Sequence, residues 1–127
     1  MILDGHIHMH NSPAMSIIEN QTKLVNSMNE AGIDGGLVIS LDPKGDGESF
    51  SPKERIDQIL KLTKSNVNLY PFYWIDPTND DAIHQVDMAL KEEMCGFKVI
   101  CGNFYPSDHR AMNVYKYIAK ANKPMLF

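Results

Sequence analysis

The stretch Gly36-Leu37-Val38-Ile39-Ser40-Leu41 (GLVISL) decides the fold, because it is a short and nearly continuous apolar run. Such a run is typical of a parallel strand that is buried on both faces of its sheet. Before it, apolar residues repeat at helical spacing from Ser16 to Ala31, and Gly32 supplies a helix stop. After it, Ser51-Pro52-Lys53-Glu54 forms a capping box with proline at the first helical position, which predicts a helix that continues to Thr63. We therefore predict a strand with one helix on either side of it.

The same alternation of strand and helix extends over the whole chain. The predicted strands β1 to β5 cover Ile2–His8, Gly36–Leu41, Asn68–Asp76, Gly96–Cys101 and a segment that begins at Pro124. The predicted helices α1 to α4 cover Ser16–Ala31, Ser51–Thr63, Asp80–Met94 and a segment from Ser107 or Asp108 to Asn122. The strand starts lie about thirty residues apart with one helix between neighbours, which indicates βαβ units and a parallel sheet.

Two fold types accommodate this series, an open sheet with helices on both faces and a (β/α)8 barrel of about 250 residues. The chain has 127 residues, which suits one domain. Its last residue, Phe127, falls within a predicted strand, and no fifth helix follows. We therefore expect a single α/β domain, residues 1–127, that forms the first half of a TIM-like barrel in the order β1-α1-β2-α2-β3-α3-β4-α4-β5, truncated before the second half.

The composition restricts the class of protein. The chain is 43% hydrophobic, 22% charged and has a formal net charge of −4, with its basic residues dispersed, which argues against nucleic-acid or anionic-membrane binding. No apolar run approaches the ~20 residues of a transmembrane helix, and the start MILDG lacks the basic region of a signal peptide. On one strand, Cys95 and Cys101 would lie roughly 20 Å apart, beyond disulfide reach. We therefore expect a reduced, cytoplasmic protein.

Candidate metal ligands lie on the first predicted strand. Asp4, His6 and His8 occupy alternate positions, so a regular strand presents them on one face. The carboxyl ends of parallel strands form the functional rim of α/β folds, and two imidazoles there can converge on one divalent cation. We predict His6 and His8 as metal ligands and Asp4 as a carboxylate that orients one of them. The alternative is that they are merely polar residues at a strand end, and for His10, past the strand, a solvated loop position is favoured over a ligand role.

These residues carry a family resemblance. Asp4-Gly5-His6-Ile7-His8 resembles the Asp-x-His-x-His opening of the metal-dependent amidohydrolase superfamily, in particular its branch of TIM-barrel hydrolases and decarboxylases of the aminocarboxymuconate-semialdehyde type. GFKVI at 96–100 is similar to the fourth strand of that branch, and ANKPMLF at 121–127 to its approach to strand five. The resemblance implies a divalent metal, zinc or alternatively manganese, and a small-molecule substrate that is hydrolysed or decarboxylated. The family's further ligands and its aspartate proton shuttle come after the position of Phe127, so only His6 and His8 carry over.

Two further residues are candidates for substrate binding. Lys98 points into the barrel if Phe97 and Val99 face the helices, and there it could hold a substrate carboxylate, be carbamylated to bridge metals, or pair with an acid such as Asp4. Trp74 ends the third predicted strand, where pocket walls are expected, although core packing is the alternative for it.

Two hypotheses about function follow. The first is a metal-dependent hydrolase of the amidohydrolase type, which acts on a carbonyl, ester or amide substrate. The second is a catalytically inactive half-barrel that works as a binding or interaction module, because the family's remaining ligands are missing. Under either hypothesis, four helices cover only the outer face of a curved five-stranded sheet. We therefore expect a homo-oligomer, a dimer or higher, whose interface includes the inner face.

Overall fold

Strands and helices alternate along the chain in the predicted order. A computed structural model describes residues 1–9, 14–44, 50–64 and 68–127. The strands are β1 (Leu3–His8), β2 (Gly35–Ile39), β3 (Leu69–Trp74), β4 (Gly96–Lys98) and β5 (Met125–Leu126). The helices are α1 (Ile17–Glu30), α2 (Pro52–Thr63), α3 (Ala82–Lys91) and α4 (His109–Lys120). The predicted fold class, α/β units that form half of a TIM-like barrel, is confirmed.

The five strands form one parallel sheet in the order β1-β2-β3-β4-β5. Because right-handed crossovers between consecutive neighbours all return on the same side, the four helices cover one face of the sheet, which we call the helix face. None of the described helices lies over the opposite face. It carries a row of paired residues, His8, Ile39, Phe72 and Gly96, and we call it the barrel face.

The hydrophobic core lies between the helix face and the helices. Strand residues Val38, Tyr73 and Phe97 are fully buried there, and the rings of Tyr73 and Phe97 meet edge to face with centroids 6.4 Å apart. The helices contribute buried side chains that include Ile56, Ile59, Val86 and Ile118. Burial of side chains of this size stabilises the fold by about 1.5–3 kcal/mol each. These positions of the apolar helical pattern therefore face the sheet, whereas Ile83 of α3 and Met112 of α4, expected on the same apolar sides, are exposed.

Local side-chain contacts explain where the helices begin. At α1 and α2, Ser16 and Ser51 form complete capping boxes with Glu19 and Glu54, as predicted for Ser51. At α4, Asp108 rather than Ser107 is the cap, because its carboxylate accepts the backbone N–H of Arg110. These contacts satisfy N–H groups that have no partner inside a helix.

Helix α3 and strand β4 are shorter than predicted. The carboxylate of Asp81 accepts a hydrogen bond from the Gln85 side chain at 2.7 Å and makes no capping bond, so α3 begins only at Ala82. Strand β4 ends at Lys98, opposite Trp74 and Leu126, where both neighbouring strands end. No helix among the described residues is long and apolar enough to cross a membrane.

Candidate metal centre

Two imidazoles meet at the carboxyl end of β1. The Nε2 atoms of His6 and His8 lie 2.8 Å apart, and the ring centroids are 4.7 Å apart with an angle of 33° between the planes. His6 is exposed and His8 is half-buried. His8 pairs with Ile39, which places it on the barrel face. The structure therefore brings together the two histidines that the sequence predicted as ligands. His10 lies outside the described residues.

The register of β1 departs from simple alternation between Asp4 and Ile7. Asp4 pairs with Gly36 and Ile7 with Val38, so three steps along β1 match two steps along β2. Since paired residues share a face of the sheet, Asp4 lies on the helix face with Ile7, and the expectation that alternation puts it on one face with His8 is wrong. The Asp4 carboxylate accepts the backbone N–H of His6 at 2.9 Å. The Asp4 side chain thus contacts the backbone of His6, and the role of Asp4 in orienting a metal ligand stays a prediction.

The histidine pair can be tested as a metal site by its donor chemistry and spacing. Zinc lies about 2.0–2.1 Å from imidazole nitrogens, so two tetrahedral ligands are about 3.4 Å apart. The observed 2.8 Å therefore requires the rings to separate by roughly 0.6 Å. Without a metal, one neutral imidazole can donate to the other. No group of three or more His, Cys, Asp or Glu residues suited to a metal occurs in the described part of the chain. The histidine pair thus fits a divalent cation that is held by two protein ligands.

Trp74 forms a wall beside the histidines. Its ring lies edge-on to that of His8, with centroids 5.4 Å apart and an angle of 68°. Its backbone N–H donates to the Ser40 hydroxyl at 2.9 Å, which fixes the end of β3 against the end of β2. Trp74 is half-buried and belongs to the barrel face, because it is two residues beyond Phe72 on the same strand. It therefore borders the histidine site, and its binding of substrate stays a prediction.

Lys98 lies on the barrel face directly beside Trp74, with which it pairs. Only 3% of its surface is exposed, and burial lowers the pKa of its ammonium group. Within the described residues it has no hydrogen bond or ion pair. The acid pairing considered for it is therefore not formed with Asp4, whose carboxylate instead contacts the His6 backbone.

A buried arginine supports the strand ends from the helix side. Arg55 of α2 is 2% exposed and donates to the Trp74 carbonyl at 2.8 Å and the Leu41 carbonyl at 3.3 Å. It also donates to the Tyr73 hydroxyl and to the Gln85 side-chain oxygen. Burial lowers the pKa of Arg55 and raises the pKa of Tyr73 to about 12. This network was not predicted from the sequence, although a charged residue next to Ile56 in an apolar helical pattern was a signal.

A cleft of about 120 Å³ opens at the carboxyl ends of β2, β3 and β4, lined in part by Trp74, Asp76 and Ile100. Burial acts to raise the pKa of Asp76, but hydrogen bonds from the Thr78 N–H and hydroxyl outweigh it, and the net pKa is lowered. Lys44 adds an ion pair to Asp76 at 3.6 Å. This carboxylate is thus already occupied by partners and serves as a wall of the cleft.

Comparison with known proteins leaves the family open. No protein-family model matches the chain, and no curated protein matches it. The amidohydrolase resemblance therefore stays a prediction that rests on the residues named above.

Proposed function

We propose that the chain is a metal-dependent hydrolase of the amidohydrolase type, in which His6 and His8 bind a divalent cation, zinc or alternatively manganese. The observation that carries this proposal is the pair of Nε2 atoms 2.8 Å apart at the carboxyl end of β1. That end of the strands is where barrel enzymes place their reacting groups. A divalent cation supplies polarisation of a carbonyl and a bound water of lowered pKa.

The side chains around the histidines have distinct parts in this proposal. His6 and His8 are the cation ligands, and the Asp4 carboxylate restrains the His6 backbone through its N–H. The Trp74 ring restricts the orientation of the His8 imidazole and offers an apolar surface to a small-molecule substrate. Lys98 lies on the same face one strand beyond Trp74. The substrate class is a carbonyl, ester or amide compound.

The test is a calorimetric titration of the purified protein with zinc and with manganese. We expect the double variant His6→Ala/His8→Ala to bind zinc at least about tenfold more weakly, as expected for loss of ligands that make direct metal bonds. The matched control is His84→Ala/His109→Ala, because both of these histidines are exposed and lie on the helices. Equal zinc binding by the wild type and the His6/His8 variant would refute the proposal.

A second candidate is a catalytically inactive half-barrel that acts as a binding or interaction module. Two observations favour it: the described residues offer only two converging histidines, and Leu3, which its pairing with Gly35 places on the helix-free face, is 44% exposed. Metal-stimulated hydrolysis of a p-nitrophenyl ester by the 127-residue chain would reject this candidate. In either case we propose a homo-oligomer in the cytoplasm, for which the unbonded Cys95 and Cys101 suit a reducing compartment.

A further inference from the structure

Lys98 is a buried basic residue that has no counter-ion among the described residues. It lies on the barrel face of β4 between Trp74 of β3 and Leu126 of β5, which are its pairing partners. Only 3% of its surface reaches solvent, and the part of the chain that the structure describes offers its ammonium neither a hydrogen bond nor an ion pair. By contrast, Arg55, the other deeply buried basic residue there, has four hydrogen-bond acceptors. Lys98 therefore lacks the polar partners that a buried charge normally has.

The energetics of this position favour an anionic ligand. A buried charge is unfavourable unless it is paired, and an anion that binds beside it removes that cost while forming a charge-assisted hydrogen bond. None of the described helices covers the barrel face, so an anion can approach Lys98 from that side. The Trp74 ring, which contacts His8, continues the same surface from Lys98 toward the histidines.

We propose that the substrate carries a carboxylate, which Lys98 receives, in addition to the carbonyl group that reacts at the histidine site. This inference rests on the proposed function, since it names the substrate class of that same site. Strands β1 and β4 are three steps apart in the sheet, about 14 Å at the backbone before the inward reach of the side chains shortens the gap. The carboxylate therefore belongs several bonds away from the reacting carbonyl.

The charge around Lys98 favours a carboxylate over a phosphate. A single ammonium balances one negative charge, whereas a phosphate dianion would need a second cation. Lys44, which lines the adjoining cleft, already forms an ion pair with Asp76 at 3.6 Å. The neighbouring Trp74 and Leu126 side chains supply apolar contact for the hydrocarbon part of a carboxylic acid.

The test compares cyclohexanecarboxylate with cyclohexanecarboxamide, which has the same shape without the charge. Trp74 is the only tryptophan of the chain, so its fluorescence reports binding at this site. In buffer with EDTA, we expect the carboxylate to bind the wild type about tenfold more tightly than the amide, the effect of one charge-assisted hydrogen bond. Lys98→Met should abolish the preference, and Lys98→Arg should keep it. Lys116→Met, on the exposed side of α4, is the matched control and should also keep it.

The outcomes separate this inference from the proposed function. Equal binding of the two probes by the wild type, a preference that survives Lys98→Met, or tighter binding of inorganic phosphate would each overturn it. The wild-type comparison decides the matter even where Lys98→Met does not fold. Zinc binding without a carboxylate preference would overturn this inference alone, and a carboxylate preference without zinc binding would support the anion site and refute the metal proposal.

Discussion

Replacement of Arg55 by methionine tests whether the helix side holds the strand ends that carry the candidate site. The Arg55 guanidinium joins α2 to the carbonyl oxygens of Leu41 and Trp74, at the ends of β2 and β3. Methionine has a similar length and fills the space without a donor. The Gln85 side-chain oxygen keeps one partner, because the Tyr73 hydroxyl donates to it at 2.9 Å. The substitution therefore leaves the Trp74 carbonyl without its side-chain donor and the Leu41 carbonyl with only the Ser40 hydroxyl, at 3.4 Å.

The magnitude follows from two opposing effects. Each buried carbonyl that loses its donor costs about 1–3 kcal/mol, so two of them cost about 2–6 kcal/mol. Removal of the guanidinium also stabilises the fold by about 1–3 kcal/mol, because the folded state no longer has to bury this charged group. This figure includes the Arg55 Nε, which is buried without a hydrogen-bond partner among the described residues. The loss of the donor outweighs the recovered desolvation penalty, because it leaves buried acceptors without the partner they had. We expect Arg55→Met to lower the free energy of unfolding by about 2–3 kcal/mol.

The assay is urea unfolding followed by circular dichroism and by the fluorescence of Trp74. The control is Arg110→Met, at the chain's only other arginine, which is exposed and contacts Asp108 at the surface. We expect the control to unfold close to the wild type and Arg55→Met to unfold at clearly lower urea with the same m-value. A loss below about 1 kcal/mol for Arg55→Met, or a gain, would refute the reasoning that the network supports the strand ends.

Three further outcomes are expected. In urea unfolding, Gly96→Ala should lower the free energy of unfolding by about 1–3 kcal/mol, because the added Cβ would lie 2.4 Å from the Phe72 ring and 2.8 Å from the Pro124 carbonyl. The control is Gly102→Ala, whose added Cβ meets nothing within 4 Å. Equal stability of the two variants would contradict the packing argument. The pKa of Tyr73 is raised to about 12, so the stability that its protonated hydroxyl contributes is complete below pH ~10 and is lost as the pH rises to ~12. Over this range, the free energy of unfolding of the wild type should fall by about 2–3 kcal/mol more than that of Tyr73→Phe. Parallel pH profiles of the two proteins would contradict this prediction. Sedimentation equilibrium at micromolar concentration should show a dimer or larger species, whereas a monomer that binds no hydrophobic dye would show that the barrel face is covered otherwise.

Features set by neighbouring residues in the chain were predicted from the sequence. The apolar run 36–41 indicates a strand because its side chains must be buried wherever it lies, and the capping box at Ser51 begins a helix with contacts inside four residues. The contact of His6 with His8 follows from their spacing on one strand. These interactions are short in sequence, so the pattern of residues is sufficient to specify them.

Features set by contacts between distant residues were decided only by the tertiary structure. The register shift that moves Asp4 to the helix face depends on the pairing of β1 with Gly36 and Val38. The end of β4 at Lys98 depends on where its neighbours end. Burial of Arg55 beneath two strand ends depends on which elements pack around it, and so does the lack of a counter-ion for Lys98 within the described part of the chain. The amino-acid pattern thus determined the order of strands and helices and the histidine pair. The partners of the buried charges were decided by packing, because the surroundings of a buried side chain come from several segments that are far apart in the sequence.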